Sequence, residues 1–357
     1  MTAESNPSEA IAPNAGKLSV AAEAGALLLK VAALLASAYA LALAIVWTVP
    51  EVTNFGLVSV LKHERLEALP SPKIVLIGGS NLAYGIDSRM IEEATGCPVV
   101  NMGMNGYLGV RLLLEETRPS LQRGDIAVLA FEYDNFFKSV DGTPSALLGL
   151  VKSNPRVVSA LSLGQRLSIL GRVPQVAQQK VLRLIAEGVE SGRVALVGAR
   201  GRDGMSEIRE IESLSGFNAL GDLNSHIGVT WPYGLEREIV STADDIETQA
   251  LVLMQDFTRD MNARGVEVLT SYTPLQAGAY AENRGVYEAI HERVSAMAPL
   301  VAPSAPSAFV YDTSHFFDTV YHLNEEGRPL RTQQVIADLQ SQFGERAHCP
   351  LGQTAQN

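Results

Sequence analysis

Cysteine is almost missing from this 357-residue chain, which has only Cys97 and Cys349. Two thiols cannot build the disulfide framework that staples small secreted domains, and these two show no metal-ligand spacing, so neither fixes the redox compartment. Basic clusters are missing as well. With a formal net charge of −11 and no Lys/Arg run, the chain lacks the phosphate-neutralising surface that a nucleic-acid partner needs. The acid excess serves solubility. Nor is there a zinc pattern: His315, Asp318 and His322 are ligand-type residues, but their spacing matches no compact site, and no metal or cofactor is expected. What is present is ordinary for a folded α/β protein, with 46% hydrophobic and 19% charged residues at a length that allows one large domain or two small ones. The mean hydropathy of +0.10 is high for such a domain, and the excess lies at the N-terminus.

Residues 1–21 are rich in Ala, Ser, Pro, Asn and Glu without periodicity and read as a disordered tail. Within 22–50, Val31 to Val49 form nineteen residues without a charge, flanked by Lys30 and Glu51. At a rise of about 1.5 Å per residue this nearly spans a hydrocarbon core, and Trp47 falls where an interfacial aromatic belongs. The run is longer than a signal-peptide core and no clear cleavage site follows, so a retained transmembrane anchor is expected rather than a cleaved signal or a buried helix. Lys17 and Lys30 on one side nearly balance Lys62 and Arg65 on the other. The short N-terminal tail places it inside, giving a single-pass inner-membrane protein with a periplasmic domain. Residues 51–72 read as a polar linker.

From Lys73 the pattern changes. KIVLIGG is a short apolar, β-branched run of the kind buried on both faces of a parallel sheet. Asp87 or Ser88 can cap the helix SRMIEEAT, which Gly96 then ends. A second strand follows in CPVVNMG, a helix around 110–121, and a third strand in DIAVLAF. Between about 138 and 245 the pattern turns helical and reads as an insertion. Alternation then resumes with a helix over 245–264, a strand VEVLTSY, a helix near 286–297, a strand AFVY and a closing helix after Gly327. This order predicts βαβ units around a central parallel sheet over 73–345, with 346–357 as a loose tail.

In open α/β sheets ligands gather outside the carboxyl ends of the strands. Ser80 ends the first strand, Gly106 follows the second, Asn135 follows the third, and Asp318 and His322 precede the closing helix. A serine at a strand-to-helix junction can expose its hydroxyl, with backbone N–H groups aimed at a developing oxyanion and a histidine as base. Taken block by block, these segments resemble the SGNH/GDSL hydrolase superfamily. IGGSN is similar to its first block and implies Ser80 as nucleophile. VVNMGMNG is similar to the second, where the spacing from Asn101 implies Gly106 as a backbone oxyanion donor. VLAFEYDN is similar to the third and implies Asn135 as the side-chain donor, while DTVYHLN implies Asp318 and His322. The chain departs from the pattern at Gly79, where many members have Asp, at Asn81, where they have Leu, in the order Asp134-Asn135, and in the four-residue spacing of Asp318 and His322. Asp312 is the other candidate to orient the histidine.

The resemblance implies a three-layer, flavodoxin-like fold. It is strongest to the membrane-anchored branch similar to alginate O-acetyltransferase and D-alanine transfer proteins. It implies acyl-ester chemistry, either O-acyl(acetyl)transfer or esterase action on a cell-envelope or exported polysaccharide beside a membrane acyl-donor protein. A periplasmic esterase or lipase, and a non-catalytic component of a polysaccharide export complex, are the alternatives. The polar-aromatic stretch with Asp222, His226, Trp231 and Tyr233 reads as a surface loop that can cover the site or grip a sugar. Tyr84 reads as either acyl-pocket lining or core.

Overall fold

The computed structural model of the chain describes residues 15–49, 55–197, 208, 210–237, 242–347 and 349. Most of the N-terminal tail, part of the insertion (198–207) and the last residues of the C-terminal tail lie outside them. The chain divides into two compact units, Met1–Val49 with Val173–Arg193, and Pro50–Arg172 with Val194–Asn357.

In the first unit, helix α1 (Ala15–Thr48) contains the stretch Ala22–Thr48, 27 residues long and apolar enough to cross a bilayer. Leu28, Leu29, Leu34 and Leu35 along it are exposed, as a lipid-facing surface would be. Its C-terminal carbonyls, which have no partner within the helix, are met by Lys180, whose Nζ donates to Val46 O (3.2 Å) and Val49 O (2.8 Å).

The second unit is an α/β fold around a parallel sheet. Strands β1 (Ile74–Gly78), β2 (Val99–Asn101), β3 (Ile126–Ala130) and β4 (Glu267–Thr270) lie in the order β2-β1-β3-β4, with Ile74 level with Val99 and Ile126, and Ile126 level with Glu267. Every residue of β1, β2 and β3 is buried, as expected for strands covered on both faces. Helix α2 is Phe55–Ala68, α3 Ser80–Gly85 and α4 Ser88–Thr95. The α4 boundaries follow the sequence cues: Asp87 accepts from the Arg89 and Met90 amides, and Gly96 takes φ 69° to end it. Helices α5 (Val110–Glu115), α6 (Pro144–Ser153), α7 (Leu163–Val197, which enters the first unit), α8 (Thr248–Ala263), α9 (Ala277–Ala296) and α10 (Gly327–Phe343) complete the set used below.

The helix expected near 286–297 is present as the second part of α9, whose backbone leaves helical geometry at Asn283 (φ −123°, ψ 22°) after a first part capped by the Gln276 side chain on the Ala279 amide. Three expectations need correction. The AFVY strand does not extend the main sheet; its Val310–Tyr311 (β6) pairs with Leu275–Gln276 (β5) in a separate two-stranded sheet. Cys97 and Cys349 are joined in a disulfide that ties part of the expected tail to the approach of β2. The segment read as a linker folds as α2, with Val58, Lys62 and Leu66 buried at four-residue spacing on one face.

Lys62 explains why α2 escaped a hydropathy reading. Its ammonium is carried inside and donates to Asn101 O (2.9 Å), Gly103 O (2.6 Å) and Gly221 O (2.8 Å), although burial pulls its pKa down to about 7 against the opposite pull of Asp222 and Glu116. One side chain thereby serves three carbonyls where β2 ends and the 217–221 segment passes over it. Lys62→Met, which keeps the apolar stem and strips the donors, is expected to lower stability by about 2–4 kcal/mol in urea unfolding. A change below about 0.5 kcal/mol would show that the carbonyls find other partners.

Candidate active site

The serine turn is built at the carboxyl end of β1, where the chain passes between β2 and β3. Gly78 lies so close to β3 that a Cβ there would fall 2.0 Å from Ala130 O. Ser80 then opens α3, and its hydroxyl lies 2.9 Å from His322 Nε2, while His322 Nδ1 lies 2.8 Å from Asp318 Oδ1. His322 and Asp318 are buried and Ser80 is partly exposed. With Nδ1–H donated to the carboxylate, Nε2 is left as the acceptor for the serine hydroxyl. The extra residue between Asp318 and His322 is absorbed around Thr319, whose Oγ1 accepts from the amides of Tyr321 (3.2 Å) and His322 (2.9 Å). Asp318, not Asp312, is the residue bonded to the imidazole; Asp312 begins a separate turn over Thr313–His315.

Tyr84 fixes the plane of that imidazole. Its ring lies parallel to the His322 ring, 5° apart in orientation with centroids 3.8 Å apart, a face-to-face contact that leaves both imidazole edges free for the serine and the aspartate. The Tyr84 hydroxyl donates to Glu212 Oε1 at 3.1 Å. Burial, together with the nearby Glu212 charge, raises the Tyr84 phenol well above its ordinary value, and burial raises the Glu212 carboxyl, opposed mainly by the neighbouring His322. Tyr84 is fully buried and backs the His322 imidazole.

Asn81, the residue after the serine, is held from four directions. Its N–H donates to Glu132 Oε1 (3.0 Å), its Nδ2 to Ala130 O (3.0 Å), and its carbonyl and Oδ1 accept from Arg331 at 2.6 and 2.7 Å. Arg331 is wholly buried in α10 and also donates to Tyr272 O; burial pulls its pKa down to about 10.

Gly106 opens a 3-10 turn after β2, and Asn135 sits in another after β3. The Asn135 Nδ2 donates to Gly106 O at 3.1 Å, so the two expected donors are brought together. The Ser80 and Gly106 amides, each at the start of its helical turn, donate to nothing among the described residues. Between these groups lies Glu132, at the end of β3. Its Oε1 is 3.4 Å from the Ser80 hydroxyl, and its Oε2 is buried without a partner among the described residues. Burial raises its carboxyl, partly offset by the Asn81 hydrogen bonds.

The loop residues expected to meet substrate do something else. Asp222 is wholly buried, accepting from Ser88 N and Oγ, Asn101 Nδ2 and Asn218 Nδ2, with Arg328 at 3.3 Å. No oxygen is left for a substrate. His226 is buried behind Tyr84, its ring centroid 4.8 Å away and its Nε2 3.0 Å from Leu323 O. Burial and then the Arg328 charge pull its pKa down to about 3, so it is neutral. Trp231 is half-buried against Phe317 and donates to Gly234 O, while Tyr233 beside it is exposed. Among the described residues no group of three or more His, Cys, Asp or Glu converges as metal ligands would.

No family model and no curated protein matches this chain. The site therefore stands on its geometry. Asn81, Glu132 and Arg331 were not singled out by sequence reasoning; the one local signal was that Asn81 departs from the first-block pattern. Because Asp222 joins Ser88, Asn101, Asn218 and Arg328, Asp222→Ala is expected to cost about 3–5 kcal/mol in chemical unfolding by leaving the buried Arg328 charge without its carboxylate, with only the Ile86 and Leu223 carbonyls and Asn224 Oδ1 to meet it. Trp231→Ala, at a half-buried position, is expected to cost clearly less.

Proposed function

We propose that this chain is a serine esterase/O-acyltransferase that passes an acyl group through Ser80. The observation that carries the reading is the relay of two short contacts, 2.9 Å from Ser80 Oγ to His322 Nε2 and 2.8 Å from His322 Nδ1 to Asp318 Oδ1. In the reaction, His322 Nε2 takes the Ser80 proton as Oγ bonds to the acyl carbonyl carbon. The carbonyl π pair moves onto oxygen, held by the Ser80 and Gly106 amides and Asn135 Nδ2. Collapse breaks the bond to the leaving oxygen, which takes the proton from His322, and an acceptor hydroxyl then repeats the sequence in reverse to release Ser80. A sugar hydroxyl as acceptor makes the cycle a transfer; water makes it hydrolysis.

Three features favour transfer to a cell-envelope or exported polysaccharide. The apolar stretch Ala22–Thr48 supports attachment to a membrane, where a membrane acyl-donor protein would deliver the acyl group. The Cys97–Cys349 disulfide supports an oxidising compartment, hence a periplasmic catalytic domain. The four blocks that resemble the SGNH/GDSL superfamily, now joined around one sheet edge, support its three-layer fold and acyl-ester chemistry. Exposed Tyr107 beside Gly106, with Lys138 5.0 Å from its ring, offers a surface on which a sugar can stack.

A fluorophosphonate probe is expected to label the full-length chain, and Ser80→Ala to abolish labelling; equal labelling of the variant would remove Ser80 as nucleophile. Asp318→Asn is expected to slow hydrolysis of p-nitrophenyl acetate by about a thousandfold, because the imidazole loses its oriented tautomer. Addition of an oligosaccharide acceptor should raise p-nitrophenol release and yield acylated sugar. Release without sugar product would assign the protein to ester hydrolysis.

A further inference from the structure

Glu132 is the titratable side chain in the site that the acyl cycle above does not use. Its carboxyl is seated in space that two glycines leave open: a Cβ on Gly79 would fall 1.8 Å from Oε2, and one on Gly106 would fall 3.0 Å from it. The same Gly106 Cβ position lies 3.7 Å from Asn135 Oδ1. Among the described residues, neither Glu132 Oε2 nor Asn135 Oδ1, both buried acceptors, has a hydrogen-bond partner. Two buried acceptors against one point, with no donor for either, are costly unless a proton joins them. A proton on Oε2 directed at Asn135 Oδ1 would meet both needs at once.

We infer that Glu132 is a positioning residue that works as a neutral acid: Oε1 holds the serine turn through the Asn81 amide, the Oε2 proton orients Asn135, and loss of that proton switches the site off. This rests on the reading of Ser80 and His322 as an acyl-transfer pair. While neutral, Oε1 is a weak acceptor already taken by Asn81 N–H at 3.0 Å, so the Ser80 hydroxyl at 3.4 Å turns to His322 Nε2 at 2.9 Å. Once ionised, the carboxylate accepts more strongly and draws the hydroxyl from its base. It also places a negative charge beside the position where the oxyanion forms, and it repels Asn135 Oδ1, turning the Nδ2 donor out of line. The proton on Glu132 is not consumed: the proton that moves in the reaction shuttles between Ser80, His322 and the leaving group.

The groups around Glu132 divide in their effect. Burial and the Asp134 charge from its own turn favour the neutral acid, while the Asn81 amide favours the carboxylate. Arg331, from α10, also favours the carboxylate by its charge, but two of its nitrogens are turned to the Asn81 carbonyl and side chain. Tyr133 is its chain neighbour, and His322 faces it across Ser80.

The test is the pH profile of p-nitrophenyl acetate hydrolysis and of fluorophosphonate labelling by the full-length chain in detergent micelles, for wild type, Glu132→Gln and Glu132→Ala. In wild type the rate should fall on the acid side as His322 protonates and on the alkaline side as Glu132 ionises, by about tenfold per pH unit beyond the midpoint. Gln can accept from Asn81 and donate to Asn135 but cannot ionise, so the alkaline fall should vanish in Glu132→Gln while the acid fall stays. Glu132→Ala, which removes both contacts and cannot ionise, should lose about a hundredfold at neutral pH and likewise show no alkaline fall. An alkaline fall unchanged in Glu132→Gln overturns the switch. Infrared difference spectra of wild type minus Glu132→Gln supply a readout that needs no activity: a protonated-carboxyl band at neutral pH is expected, and its absence overturns the neutral-acid assignment. If the band is present while wild type neither labels nor hydrolyses, the acyl-transfer reading fails and the switch with it, whereas the protonated Glu132 stands.

Discussion

The fixed point of this structure is Asn81. Ser80 stands at a sharp turn from strand to helix, where the backbone has few partners of its own, and α3 is six residues long. Such a short helix has little cooperative stability to hold its first residue in place. Four hydrogen bonds to Asn81 do that instead, drawn from β3 through Ala130 and Glu132 and from α10 through Arg331. The Ser80 hydroxyl stays on line with His322 because its chain neighbour cannot rotate. Arg331 is the costly member of the set, since a guanidinium carried wholly inside loses its hydration. Two carbonyls and the Asn81 amide oxygen take its place.

The His322 imidazole is held by a different principle. His322 is held at both nitrogens by hydrogen bonds and across its face by Tyr84. Tyr84 in turn rests against His226 and reaches Glu212. A ring pinned on its edges alone can tilt; one covered by a parallel ring cannot tilt without losing that contact. The stretch that carries Asp222 and His226 thus acts on the site from behind. Asp222 ties Asn101, Ser88 and Arg328 together below β2, and the neutral His226 packs against the back of Tyr84.

What was legible in the sequence, and what was not, divides along one line. The strands β1, β2 and β3 announced themselves because burial on both faces demands an unbroken apolar run, and α4 because Asp87 and Gly96 carry their cap signals locally. Ser80, Gly106 and Asn135 were legible through their order after β1, β2 and β3, whose carboxyl ends meet at one sheet edge, whereas Asp318 and His322 were legible only through the block DTVYHLN, since the strand before them lies outside the main sheet. The helix α2 was hidden because its buried face includes Lys62, a residue that hydropathy places in water and that only three carbonyls from distant segments bring inside. Glu132 and Arg331 were hidden for the same reason. Their partner Asn81 lies 51 and 250 residues away, and neither side chain carries a local pattern that reveals a buried role.

The departures from the first-block pattern become coherent once Glu132 is included. Where Gly79 stands, many proteins of the resembling superfamily carry Asp, a carboxylate beside the nucleophile on its own chain. Here a Cβ at that position would fall within 1.8–2.2 Å of the Glu132 carboxyl atoms, so an acid at 79 and the acid at 132 exclude one another. The carboxyl reaches the serine turn from the neighbouring strand, and the glycine is the space it enters through. The second departure follows from the first. A leucine at position 81 would keep the backbone carbonyl for Arg331 but lose the side-chain bonds to Arg331 and to Ala130 O, and the amide that Glu132 grips would lose half of the clamp that keeps it facing the carboxyl. Glycine before the serine, asparagine after it and glutamate at the end of β3 thus form one arrangement rather than three unrelated substitutions, and a change at any of the three removes the reason for the other two.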